Sequence, residues 1–201
     1  MSLFKVIQEN CPHCNAIQEI KYYQTVNVTL EPNLKEEVLS GTLNSKKCTN
    51  CRKEITIFSG LLYHDMENRL MFEVKVSDEQ DERKAETLNE FKKNGYIYRE
   101  VHSYPELVEK IHIFDNKLND QVVESVSNKL KAMLDESLKQ VKETDIEFNV
   151  FFKKIEKGLF KKKLVFFCFS HPSQIMEMKY EIKNLSANER KDLYTIDSLR
   201  G

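Results

Sequence analysis

Two short cysteine pairs, Cys11-Pro12-His13-Cys14 and Cys48-Thr49-Asn50-Cys51, constrain this 201-residue chain more than any other feature. A C-x-x-C turn brings two thiolates to one side while its backbone N–H groups point back at the sulfurs. Two such turns supply the tetrahedral set of four sulfurs that a zinc ion takes at about 2.3 Å per bond. The spacing therefore predicts one site built from Cys11, Cys14, Cys48 and Cys51, with Zn2+ as the structural ion. A closed four-thiolate site leaves no position for water, so hydrolysis is not expected of it. Thirty-three residues separate Cys14 from Cys48, longer than the usual ribbon spacing. That insert reads as self-contained: a strand, a helix and a return. The fifth cysteine, Cys168, stands alone in a Phe-rich run, and an odd count at this spacing favours a metal over a disulfide framework.

Two other chemistries use similar turns. Cys11-Pro12-His13-Cys14 matches the active-site tetrapeptide of some thioredoxin-fold oxidoreductases. Those enzymes need the first cysteine at a helix N-terminus, where the dipole lowers its pKa; here the residues from Asn15 onward read as β. A rubredoxin-like iron redox site also needs two C-x-x-C turns, and tetrahedral sulfur geometry does not separate iron from zinc. The chain has no Trp, and Asn15 and Arg52 stand where glycines usually follow such turns. Iron stays open as an alternative.

Periodicity gives an α+β chain: a zinc-ribbon-like, β-rich N-terminal domain at 1–77, a connecting helix at 78–95, and an α+β domain with an antiparallel sheet at 96–201. Residues 4–8, 18–29, 54–63 and 69–76 read as strands, the last two joined by a polar turn at 64–68. Pro32 opens a short helix that Gly41 closes. In the charged stretch 78–94, Ala85, Leu88 and Phe91 recur at helical spacing before Gly95. Beyond a strand at 96–101, Ser103 with Glu106 forms a capping-box pattern that starts a helix running to about Phe114. A longer helix follows, with Leu118, Val122, Val126, Leu130, Met133 or Leu134, Leu138 and Val141 on one face, expected to pack on the C-terminal sheet. Ile146 to Phe152, Leu164 to Phe169 and Met176 to Ile182 read as the meander, and Ser186 with Glu189 caps a last helix.

Net charge is −1, which gives no global pull toward nucleic acid or acidic membranes. No run approaches the roughly 18 apolar residues of a membrane span, and no secretory leader pattern opens the chain, so a cytoplasmic location is expected. His13 lies between two ligand candidates and is expected to point outward. Tyr63-His64-Asp65 is the secondary candidate, either an acid–base group in an inter-domain cleft of an enzyme or plain turn chemistry with Asp65 bonding backbone. Lys153, Lys154, Lys157, Lys161, Lys162 and Lys163 surround Gly158. They form either a basic hairpin tip for phosphate backbones or a solvated tip that guards the Phe-rich strands from edge pairing. Cys168 is expected to be buried and inert. No phosphate-binding or nucleophile-elbow motif is present.

The order C-P-x-C, strand, E-P-x-L-K-E-E-V-L-S-G, N-x-x-x-C-x-x-C, L-L-Y-H-D resembles the CpXC domain family of bacterial proteins over about residues 4–76. Pro32, Gly41 and Tyr63-His64-Asp65 fall in place with the cysteines, and the segment from Tyr104 to Ile111 is similar to the region that follows the domain. The resemblance implies paired cysteine motifs and a metal site; it implies no biochemical activity. The reading is thus a non-catalytic, zinc-stabilised binding or interaction module whose protein or small-molecule partner the sequence does not name.

Overall fold

The computed structural model of the protein describes residues 1–57, 60–75, 82–141, 147–159, 161–170 and 174–200, and leaves aside the side chains of 82–87, 140, 141 and 174. The expected start of the connecting helix at 78, the strand position Ile146, and the seam side chains of Ala85 and Val141 lie outside what is described. The chain forms two compact units, Met1–Val108 together with Arg200, and Glu109–Leu199.

The first unit opens with strand β1 (Leu3–Asn10) paired antiparallel with β2 (Ile17–Asn27). Helix α1 (Asn33–Ser40) follows Pro32 and ends at Gly41, whose φ of 72° lets its N–H bond back to the helix. A small hairpin comes next, β3 (Ser45–Lys47) with β4 (Glu54–Thr56). Then come β5 (Leu61–Asp65), β6 (Leu70–Val74), α2 (Glu82–Lys93) and β7 (Ile97–Val101).

Five of these strands form one sheet in the order β1-β2-β5-β6-β7. The pairs β2/β5 and β6/β7 are parallel, the other two antiparallel. Parallel neighbours need a long crossover. Helix α2 supplies one, and α1 with the β3–β4 hairpin supplies the other, which is why the long insert between the cysteine pairs exists.

Two sequence expectations change here. The single strand expected at 54–63 belongs to two sheets: 54–56 pairs with β3, while Leu61–Asp65 joins the main sheet. The apolar alternation runs on across both segments and cannot mark the change of sheet. The strand at 96–101, placed by sequence with the second part, hydrogen-bonds to β6 in the first unit.

Helix α3 (Tyr104–Asp115) starts at the expected cap: Glu106 N–H donates to Ser103 Oγ (3.3 Å) and the Glu106 carboxylate accepts from His102 N–H (3.0 Å). Helix α4 (Asp120–Val141) leads to the antiparallel meander β8 (Phe148–Lys157), β9 (Lys162–Ser170) and β10 (Gln174–Glu181). Leu118, Val122, Val126 and Leu130 are buried with Phe148, Phe152, Leu164 and Phe166, so the helix stripe packs on this sheet as its width requires. Leu134 joins that core, whereas Met133 is exposed. A short helix, α5 (Ala187–Asp192), begins at the Ser186–Glu189 capping box. No described helix is long and apolar enough to cross a membrane.

Candidate metal centre

Each cysteine pair is the tip of an antiparallel hairpin. The last paired residues are Asn10 and Ile17 below the first tip, and Lys47 and Glu54 below the second. The two tips close by the same bonds. Cys11 N–H donates to Ala16 O (3.0 Å) and Asn15 N–H to Cys11 O (2.8 Å); Cys48 N–H donates to Lys53 O (2.8 Å) and Arg52 N–H to Cys48 O (3.0 Å). Both turns need a left-handed residue after the second cysteine, and Asn15 (φ 58°) and Arg52 (φ 64°) take that conformation.

The tips face each other. Cys11 Sγ lies 3.7 Å from Cys51 Sγ, and Cys14 Sγ 3.6 Å from Cys48 Sγ. All four sulfurs lie within 4.8 Å of one another, and they are the one such group of potential metal ligands among the described residues. A tetrahedron with metal–sulfur arms of about 2.3 Å has edges of about 3.8 Å, so the observed separations fit one ion between the tips. They are far longer than the roughly 2.05 Å of a disulfide.

Polar hydrogens already converge on the sulfurs. The Ala16 backbone N–H, then the Asn50 side chain, bring the Cys14 thiol down to about 6. The Cys51 backbone N–H lowers that of Cys48. At Cys51 the Lys53 N–H pulls down, but burial and the three neighbouring sulfurs outweigh it and push the thiol up to about 11. Such a set favours thiolates wherever a cation supplies the missing positive charge. Cys11 and Cys48 are buried with Ile20 and Ile55, and Ile7, Ile57, Cys14 and Cys51 pack around them. This small cluster is the core of the ribbon-like end of the unit.

Sequence reasoning passed over two supporting residues. Gln18 is buried, and its Oε1 accepts from Thr49 N–H (3.0 Å) and Thr49 Oγ (3.1 Å), tying the second tip to β2 beside the first. Asn44 (φ 60°) pairs its side-chain amide with the backbone of Tyr23, accepting from its N–H (2.6 Å) and donating to its carbonyl (3.0 Å). It is the asparagine of the N-x-x-x-C-x-x-C pattern, and it anchors the second hairpin to β2.

A family model described as CpXC protein matches residues 10–127, more than half of the chain. The chain belongs to the CpXC family. The CpXC match begins one residue before Cys11 and takes in both hairpin tips, the five-stranded sheet from β2 onward, and the start of α4. It extends well past residue 76, where the sequence resemblance ended. No curated protein matches this CpXC chain, and no solved structure does.

The other candidates separate from the cysteines. His13 is exposed at the tip of its turn. Cys11 opens a hairpin turn and not a helix, so the dipole that a thioredoxin-type thiol needs is missing. Tyr63 is buried and stacks on Phe72 with centroids 5.7 Å apart. Asp65, also buried, accepts from Asn68 N–H (2.9 Å) and Asn68 Nδ2 (2.8 Å), which closes the turn after β5. His64 points to the opposite face of the strand, among Phe91 and Tyr96, with Nε2 3.3 Å from Tyr96 Oη. Burial there holds the imidazole pKa down. Adjacent strand residues face opposite ways, so the three side chains do not converge.

The lysine hairpin is spread over several partners. Lys153 Nζ sits 3.9 Å from the Phe167 ring, Lys162 Nζ 5.7 Å from the Tyr194 ring, and Lys161 pairs with Glu181. Cys168 is buried in the core of the second unit, where burial raises its thiol pKa.

Proposed function

We propose that Cys11, Cys14, Cys48 and Cys51 ligate one structural zinc ion, and that the protein is a zinc-stabilised binding or interaction module of the cytoplasm without catalytic chemistry of its own. The observation that carries this is the pair of equivalent hairpin tips, closed by identical backbone bonds, with four sulfurs at tetrahedral separations. Zinc supplies four bonds to a cluster whose apolar members are only a few isoleucines, and in so thin a core metal binding is folding free energy. Four thiolates complete the ion's shell, so neither water nor substrate reaches it. The lack of convergence at Tyr63, His64 and Asp65 supports the non-catalytic reading.

Metal analysis and an absorption spectrum of protein purified without chelator test this directly. The expected result is one zinc per chain and no visible band. A red protein with one iron per chain would replace the proposal with rubredoxin-like electron transfer. Metal retained after all four cysteines are changed to serine would remove the site itself.

A further inference from the structure

Among the described residues, strand β1 is the outermost strand of the five-stranded sheet and pairs only with β2. Its eight residues carry no proline, and all its side chains but that of half-buried Ile7 are open to solvent: Leu3 is 56%, Phe4 54% and Val6 62% exposed. A long outermost strand without proline is a template for another strand, and natural proteins otherwise interrupt or cover such an edge. The sequence of β1 selects the occupant. We propose that the edge is a homodimer interface, in which β1 pairs antiparallel with β1 of a second copy across a two-fold axis centred on Ile7, making one continuous ten-stranded sheet.

The register follows from symmetry and charge. A two-fold axis normal to an antiparallel pair sets one residue opposite its own copy, because opposite residues share a face and adjacent ones do not. Centring on Lys5 or Glu9 sets like charges face to face, which destabilises a cross-strand pair. Centring on Ile7 sets Lys5 opposite the partner's Glu9 twice over, and Val6 opposite the partner's Gln8. It also uses the whole regular stretch of the strand: pairing with β2 shifts register between Leu3 and Phe4, so the regular part runs from Phe4 to Asn10, and Ile7 is its midpoint. Ile7 packs against the cysteine cluster on the same face as Lys5 and Glu9. The two metal-site cores of the dimer would then lie on one face of the shared sheet, beside its centre.

Sedimentation of the full metal-loaded chain over a wide concentration range provides the test. The native protein should sediment at twice its 23.7 kDa mass at high concentration and dissociate on dilution. Lys5→Glu, and separately Glu9→Lys, should weaken the dimer at least about tenfold, because each sets two like-charge pairs face to face. The double swap K5E/E9K should restore the affinity to within about threefold, since the pairs re-form with reversed polarity. Metal content and circular dichroism, unchanged in all three, separate loss of dimer from loss of fold. A native chain that stays monomeric throughout overturns the proposal. So does a dimer indifferent to Lys5→Glu, and a double swap that stays as weak as the single variants overturns the register.

Discussion

The residue after the second cysteine of each pair sets how tightly the hairpin tip can turn. Asn15 and Arg52 both sit at positive φ. Asparagine tolerates that region through local hydrogen bonding, whereas a side chain such as arginine takes it at a cost of about 1–2 kcal/mol. Glycine has no such cost but gains chain entropy on unfolding, worth roughly 0.5–1 kcal/mol. Arg52→Gly should therefore stabilise the metal-loaded protein by up to about 1 kcal/mol, and Asn15→Gly should change it by less than about 0.5 kcal/mol. Denaturant unfolding of the two variants beside the native chain reads the difference; a clear loss in Arg52→Gly would show that the guanidinium makes a contact outweighing the strain. The cysteines themselves announce the site in the sequence because no other residue type supplies a thiolate. Gln18 and Asn44 do not, since a buried amide that bridges two hairpins looks, in sequence, like any polar residue of a strand or turn.

At the scale of elements, the short helix α5 depends on its N-terminal box more than on burial, for none of its own residues is buried. Ser186 N–H donates to Glu189 Oε2 (2.9 Å), and Glu189 Oε1 accepts from Lys129 Nζ (2.6 Å) and Ser125 Oγ (2.9 Å) on α4. The Lys129 ammonium first, then the Ser186 backbone and hydroxyl, hold the Glu189 carboxyl down to about 2. A carboxylate whose folded pKa is depressed stabilises fully above its unfolded value, here 4.5, and loses that contribution as pH falls toward 2. Glu189→Gln should cost about 1 kcal/mol near neutral pH, and the gap between variant and native should close as pH drops through that window. A gap unchanged down to pH 2 would assign the effect to the box geometry alone. This box was legible because S-x-x-E carries its own bonding partners within four residues, and the α4 stripe because its period is sustained over many turns. The parallel pairings β2/β5 and β6/β7 were not: they join segments far apart in the chain, and alternation reports that a strand is half-buried without naming its neighbour. For the same reason the stretch 54–63 read as one strand, although its two halves serve different sheets.

For the molecule as a whole, the two units rest on different sources of stability. In the second, α4 and the meander share an apolar core of Phe, Leu and Val side chains in which the one cysteine, Cys168, acts as a small hydrophobe. In the first, the ribbon-like end has Ile20 and Ile55 beside two buried cysteines and little else, while the other end of the sheet buries Tyr63, Phe72 and Ile97. If the four cysteines hold zinc as proposed, its removal should act on these regions unequally. Four thiols without a cation would keep only their N–H contacts, and the facing hairpin tips would lose the proposed ion between them. Chelation should therefore abolish amide-exchange protection first in β3, β4 and the adjoining ends of β1 and β2. Protection of β5 to β7 should fall less, and α4 with β8 to β10 should keep theirs, so the helical circular dichroism survives. Re-addition of zinc should restore the pattern. Equal loss of protection in both units would mean that the metal holds more than the ribbon-like end. Protection that persists at the cysteine hairpins after complete metal removal would mean that the isoleucine cluster and the Gln18 and Asn44 bridges suffice to fold them, and the zinc would then need a role other than support.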